Sequence, residues 1–486
     1  MKKILIFLIV FFVFANIATL SNNHNWGGDF SAYIGQSKAI FDGKVTDFSS
    51  TANFRVSFSE AQVGPNLYPW GYPLILVPVI GLLGVNIVAL KFVTYLFFIG
   101  SLIVLYYLFK DRLTKEISLL VVLIMAASPY FFEFKQNVLS DVPAMFFLLL
   151  SAFLIQTIYL KKTDFRSKNI YLILLGFSIF ISFFIRTSSF TLLPLLFLIQ
   201  AIEYKKWFNN SRDLLLSSIP YLIFLVGYLL TSLMLPAGSY AANHALFNSD
   251  FFKLAIGNLY YYAIVLADFF GSPAGISGLL GTGMFPVFQI LYAINIFLFL
   301  VGFFKSWRKN YFYALFFLIN LSLFLIYQYI QGLRFIIPLI PFYLFFVIIG
   351  IKTLNPKRFL KISSQKFVYA FGFLLTLFFA VQIYPLAGIA PAIDGPYSAD
   401  SQGLFNFIKK NTASTESIAF FKPRVMYLIT GRKSLYIGTA DFLKQSKVTD
   451  YYAYTNDVDR KNMEDYLSQN GQLIFQNDKF RVYDLR

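Results

Sequence analysis

The chain has 486 residues, of which 57% are hydrophobic and 13% charged. Its apolar runs repeatedly reach the roughly 18–20 residues that cross a bilayer, which marks a polytopic membrane protein. With no cysteine, disulfides, thiolate metal sites and cysteine nucleophiles are excluded. The net charge of +17 is no nucleic-acid footprint: residues 2–3, 110–116, 161–168, 203–213, 305–309 and 352–366 hold twenty Lys/Arg against five Asp/Glu, which is +15 of the total. Short loops with this bias lie on the cytoplasmic side.

In chain order, Lys2 and Lys3 precede an apolar segment near 4–20, read as an uncleaved first helix. An outer loop, 21–86, follows. It carries "HNWGGDFSAYIGQSKAIFDGK", with Asp29 opening a short amphipathic helix over Phe30–Phe41. Tyr72–Leu83 is apolar but short and contains Pro73 and Pro78. Successive basic loops require an even number of crossings between them, so this stretch is assigned to the outer interface. The same logic demotes Leu259–Phe270, which carries Asp268, within a second outer loop, 236–283. Spanning helices are predicted near 4–20, 87–109, 117–132, 142–160, 169–185, 190–203, 214–235, 284–304, 312–330, 335–351 and 367–386, about eleven in all.

Past Pro385 the chain turns polar, with 13 basic and 11 acidic residues. Strand-like runs ("ESIAFF", "SLYIG", "QLIFQ", "FRVYDL") alternate with helix-like ones ("SQGLFNFIKKN", "DRKNMEDYLSQN"). The domain boundaries predicted are 1–387 for the membrane part and 388–486 for a small extracytoplasmic α/β domain. No repeat of the solenoid kind is present.

Ionisable groups near membrane depth are costly and point to function. On this topology Asp29, Lys91, Glu133, Lys135, Asp141, Arg186 and Arg334 all fall at the outer ends of helices, which implies an outward-facing cleft. A carboxylate there can take a proton from an attacking hydroxyl or bind a metal. Lys91, Arg186 and Arg334 can neutralise a phosphate leaving group, while Tyr68, Trp70 and Tyr72 of "NLYPWGYP" can stack on a sugar or pack an isoprenoid chain. Plainer roles compete. Asp29 and Asp141 suit helix N-caps, Lys91 and Arg334 can snorkel to the interface, and the aromatic residues suit a membrane belt. The two histidines, His24 and His244, have no metal-ligand spacing.

These residues resemble a known family. "GGDFSAYIGQSKAIFDG" is similar to the first outer-loop motif of GT-C fold glycosyltransferases, in the group containing the protein O-mannosyltransferases and the lipid A aminoarabinose transferases. The matching positions are Asp29, Tyr33 and Gly43. "YPWGYPLIL" resembles the family's proline-rich motif, Lys91 in "ALKFVTY" its basic opening of helix 2, and Asp141 in "NVLSDVPAMFF" its second acidic position. "IRTSSFTLLPLL" and "GLRFIIPLIPFYLF" resemble further patterns that cover Arg186 and Arg334. "KPRVMYLITGRKSLYI" is similar to the soluble tails of some bacterial members. Phe30 stands where many relatives have a second acidic residue, and Trp70 where proline is usual.

The resemblance implies a GT-C-like membrane enzyme of the cytoplasmic membrane with its active site outside. It would move a sugar from a polyprenyl-phosphate donor, with inversion, to a hydroxyl on a lipid, glycan or protein acceptor. Asp29 and Asp141 are the implied catalytic residues. Tyr33, Tyr68, Trp70, Tyr72, Lys91, Arg186 and Arg334 are the implied substrate contacts. A divalent cation shared by the carboxylates stays open as a cofactor; membrane lipid is an expected partner and nucleic acid is not. A transporter or flippase of an envelope lipid or glycan is the alternative.

Overall fold

The structure, a computed structural model, describes residues 1–161, 169–204, 211–238, 251–271, 285–355, 362–388, 394–455 and 462–486. His244 and half of the stretch 236–283, read as a second outer loop, lie outside the described residues. Among them, six helices are long and apolar enough to cross a membrane: Ile87–Phe109, Asp141–Leu160, Arg212–Met234, Phe288–Ser306, Ile337–Leu354 and Ser364–Ile383. Four further apolar helices are shorter, including Gly71–Leu83 and Asn169–Ile185. A count of about eleven therefore rests on helices that fall below the length of a full span.

Several predicted helices are broken where the chemistry demands it. The span expected over 117–132 is two pieces, α6 (Lys115–Ala126) and α7 (Pro129–Phe134). Pro129 lacks the N–H that would continue the ladder, so the helix ends before it and restarts with proline in its first turn. The span expected from 335 opens as 3₁₀ turns over Gly332–Leu339, and regular helix begins only at Ile340. Pro338 in this stretch withholds a backbone donor, and Pro341 sits in the first turn of the regular helix, where its missing N–H costs nothing.

Residues 21–86, the stretch read above as the first outer loop, contain three helices: α2 (Gly28–Phe41), α3 (Val45–Phe58) and α4 (Gly71–Leu83). Helix α2 departs from the amphipathic expectation, since every residue from Phe30 to Ser37 is buried. The reason lies in the last ninety residues, which fold over it. Strands β1 (Ser417–Ala419), β2 (Lys433–Leu435), β3 (Tyr451–Thr455), β4 (Gln472–Gln476) and β5 (Phe480–Asp484) form one sheet in the order β2-β1-β3-β5-β4. The first three are parallel, and β5 pairs antiparallel with both β3 and β4. Strand β3 is invisible to an alternation reading because all five of its residues are buried, as expected of a strand covered on both faces.

One apolar cluster joins the two parts. It runs from Phe30, Tyr33 and Ile34 of α2 through Tyr72 and Leu76 of α4 into Phe405, Ile418 and Val425 of the C-terminal α/β unit. Trp26 adds edge-to-face contacts with Phe405, Phe420, Phe421 and Phe480, at centroid separations of 4.9–6.3 Å. Offset and edge-on aromatic pairs of this kind add to area burial, so the unit is seated on the outer loop.

Candidate active site

A cavity of about 880 Å³ lies where the first outer loop, the helix ends and the C-terminal unit meet. Asp29 and Tyr33 reach it from α2, Tyr68 from the α3–α4 connection, Arg186 from the end of α9 (Asn169–Ile185), and Arg334 from the 3₁₀ turn Gly332–Phe335. Gly332, with φ +64°, turns the chain into that 3₁₀ segment. Only glycine adopts this conformation without cost.

Neither carboxylate caps its helix. Gly27 is the N-cap of α2 and Ser140 that of α8 (Asp141–Ile155), and neither cap makes a side-chain bond to the helix. The two acids bind cations instead. Arg334 presents Nε and Nη2 to the two oxygens of Asp141, at 3.2 and 3.0 Å, and Nη1 to Asp29 Oδ2 at 2.9 Å. Arg186 donates to Asp141 Oδ1 as well. One guanidinium thus ties both carboxylates together, which exploits the planar five-donor fork of arginine.

The carboxylates differ in access. The Asp141 side chain is 1% exposed and that of Asp29 27%, so Asp29 is the one a cavity-bound molecule can reach. Burial works against charge on Asp29. Arg334, then Arg424, then the hydrogen bond from Tyr68 outweigh it and hold the carboxyl below the usual range. The same two acids raise the pKa of Arg334 despite its burial. Tyr68 Oη donates to Asp29 Oδ1 at 2.6 Å, and Tyr33 shares a 2.8 Å hydrogen bond with Ser140.

Three of the residues expected at substrate do not line the cavity. Lys91 is fully buried, and its ammonium donates to Ser21 O, Asn23 O and Gln136 Oε1 at 2.7, 2.5 and 3.0 Å. With all three donors used it anchors the α1–α2 connection, α1 being Lys2–Ala18. Trp70 is 5% exposed and donates to Pro236 O at 3.0 Å. Tyr72 is buried, its hydroxyl 2.6 Å from Thr94 Oγ1 and its ring edge-on to Tyr33. Neither aromatic face is open to a sugar.

One residue enters the site that its position in the chain does not suggest. Arg424 of the C-terminal unit places Nη1 at 3.1 Å from Tyr68 Oη and 3.6 Å from Asp29 Oδ1. It sits in "KPRVMYL", a segment that carries only the look of a soluble tail. Its pairing with Asp29 is a matter of docking alone.

A divalent cation fits this arrangement poorly. The guanidinium of Arg334 bridges the two carboxylates where such an ion would sit, and among the described residues no three His, Cys, Asp or Glu side chains cluster as ligands.

The comparisons with known proteins bear on the fold. The sequence profile of the dolichyl-phosphate-mannose-protein mannosyltransferase family matches residues 68–236. Among curated proteins, none matches the sequence. The crystal structure of ArnT from Cupriavidus metallidurans bound to undecaprenyl phosphate superposes with a TM-score of 0.60 at 10% identity, over 100% of this chain and 98% of that one. The fold is that of the GT-C glycosyltransferases. A second GT-C structure, the archaeal oligosaccharyltransferase AglB from Archaeoglobus fulgidus in complex with an inhibitory peptide and a dolichol-phosphate, superposes with a TM-score of 0.54 at 10% identity. It is covered over 69% of its length by 93% of this chain. The GT-C likeness extends through the C-terminal unit, because the match to ArnT spans the whole chain.

Proposed function

We propose that the protein is a multi-pass glycosyltransferase of the cytoplasmic membrane that moves a sugar from a polyprenyl-phosphate donor to an acceptor hydroxyl on the outer side. In this reading residues 1–387 form the transferase and 388–486 an extracytoplasmic domain. The observation that carries it is Asp29, in a cavity shared by membrane helices and the C-terminal unit, joined through Arg334 to the buried Asp141.

The chemistry follows from access and charge. The acceptor oxygen bonds to the anomeric carbon from the face opposite the phosphate, which inverts the centre, and the sugar–phosphate C–O bond breaks. The hydroxyl proton goes to Asp29, the more exposed carboxylate. A carboxylate held at low pKa is a weak base, but the attacking oxygen becomes acidic only as it bonds to carbon, so a weak and fully ionised base suffices. Polyprenyl phosphate leaves with the bonding electrons. Its added negative charge is met by Arg186 and Arg334, which act without a proton being supplied. Asp141, buried beneath both arginines, holds them in place and through Arg334 orients Asp29.

The test is release of polyprenyl phosphate from a panel of polyprenyl-phosphate sugars, with envelope extract as acceptor. Asp29→Asn is expected to cut release by roughly 10²–10⁴-fold while the thermal midpoint of the protein stays within a few degrees of wild type. Undiminished release by this variant overturns the assignment of the base.

A further inference from the structure

We infer that Arg424, supplied by the C-terminal α/β unit, is a positioning residue for Asp29, so that the site is complete only when that unit is docked. The catalytic consequence rests on the proposed function; the effect on the carboxylate does not.

The topology of the sheet explains why Arg424 is where it is. The chain leaves β1 for β2 on one side and then crosses to β3 on the other, so the carboxyl end of β1 is a switch point. In open α/β sheets this crevice is where ligands sit. Here Phe421, Lys422 and Arg424, just after β1, and Tyr436, just after β2, line the cavity. The crevice itself holds part of the first outer loop. Ser59 Oγ accepts from the Tyr436 N–H at 2.9 Å, and the Glu60 carboxylate accepts from Gly438 N, Thr439 N and Thr439 Oγ1 at 2.5, 2.9 and 2.5 Å. Arg424 Nη2 closes the strap by donating to Pro65 O at 2.6 Å. Gly64, at φ +85°, lets the strap pass so near that a Cβ there would lie 2.6 Å from Arg424 Nη2.

The hydrogen bonds have only one consistent direction. A guanidinium has no acceptor, so Tyr68 Oη must accept from Arg424 and turn its own hydrogen onto Asp29 Oδ1. Arg424 is 5% exposed and stands 3.6 Å from that oxygen, so its charge acts through little water. The groups facing Asp29 are Arg334 from the 3₁₀ turn, Tyr68 from the strap and Arg424 from the C-terminal unit, with Arg186, Asp141 and Tyr33 behind them. Removing Arg424 takes away one of the two cations that act directly on Asp29, and with it the donor to Tyr68 Oη.

The experiment uses the full chain in lipid discs. A water-soluble carbodiimide with an amine labels protonated carboxyl groups, and the Asp29 peptide is quantified against pH by mass spectrometry. In Arg424→Gln the pH at which Asp29 loses reactivity is expected to rise by roughly one unit or more. Arg424→Lys restores most of the shift, because it keeps the charge. The exposed Lys444→Gln, in the same unit, leaves it unmoved. If release of polyprenyl phosphate is observed, the acid limb of its rate follows the same displacement. A folded Arg424→Gln whose Asp29 titrates as in wild type overturns the inference. Should that variant fail to fold, Arg424→Met serves instead: it keeps the length of the side chain without its charge, and a wild-type titration there also overturns the inference. A wild type that releases nothing from any donor refutes the proposed function, while the labelling result still decides the role of Arg424.

Discussion

At the scale of single residues, membrane-end charges divide by what remains for them to bind. Lys91 spends its three donors on Ser21, Asn23 and Gln136, whereas Arg334 carries a fork that spans two acids. Both read alike in sequence, as a cation at a helix start. His24 shows the same dependence on partners. It is 2% exposed, stacked on Phe30 at 3.7 Å, and accepts at Nε2 from the Val138 N–H while Nδ1 donates to Asn25 O. Burial pushes its pKa down to about 4. The unfolded chain therefore takes up a proton near pH 6.5 that the folded protein refuses until about pH 4. The stability present at neutral pH falls across that interval, by roughly 3 kcal/mol for this group. Thermal midpoints at pH 7.5 and 4.5 check this: the loss on acidification is expected to be smaller in His24→Gln than in wild type. Equal losses would mean that His24 titrates normally.

Among elements, periodicity and breakers located most helices, and the deviations have local causes. The break between α6 and α7 and the 3₁₀ opening before Ile340 both sit at prolines. Burial of α2 on every side has no local cause, because the C-terminal unit covers the face that alternation would give to water or lipid. Close packing of the helix Phe285–Ser306 against Ile340–Leu354 depends on two glycines. A Cβ on Gly302 would strike Phe346 O, and one on Gly350 would strike Leu298 O. Small residues let membrane helices approach backbone to backbone. Gly350→Val is expected to cost roughly 1–3 kcal/mol through overpacking. The readout is a lowered thermal midpoint with transfer per folded molecule retained, since neither glycine lines the cavity. An unchanged midpoint would show that the helices separate without loss.

For the whole molecule, the C-terminal unit is held through Trp26 on one side and Glu60 on the other. Glu60→Ala leaves the Gly438 and Thr439 amides without their acceptor. A lost charged hydrogen bond of this kind is worth roughly 1.5–3 kcal/mol, so hydrogen exchange at these two amides is expected to quicken by about tenfold or more. Slower transfer follows if the unit completes the site; exchange as slow as in wild type would show that Glu60 does not fasten it. Membrane class, basic loops, most helix positions, the polar C-terminal region and the two acids Asp29 and Asp141 were legible in the sequence. Each depends on composition, period or local residue type, which are properties of short stretches. Tertiary structure alone decided that Arg334 ties those acids together, that Lys91, Trp70 and Tyr72 are turned away from the cavity, and that Arg424 comes to lie beside Asp29. Contacts of that range follow from docking and from which donors remain unsatisfied, and no local pattern encodes either.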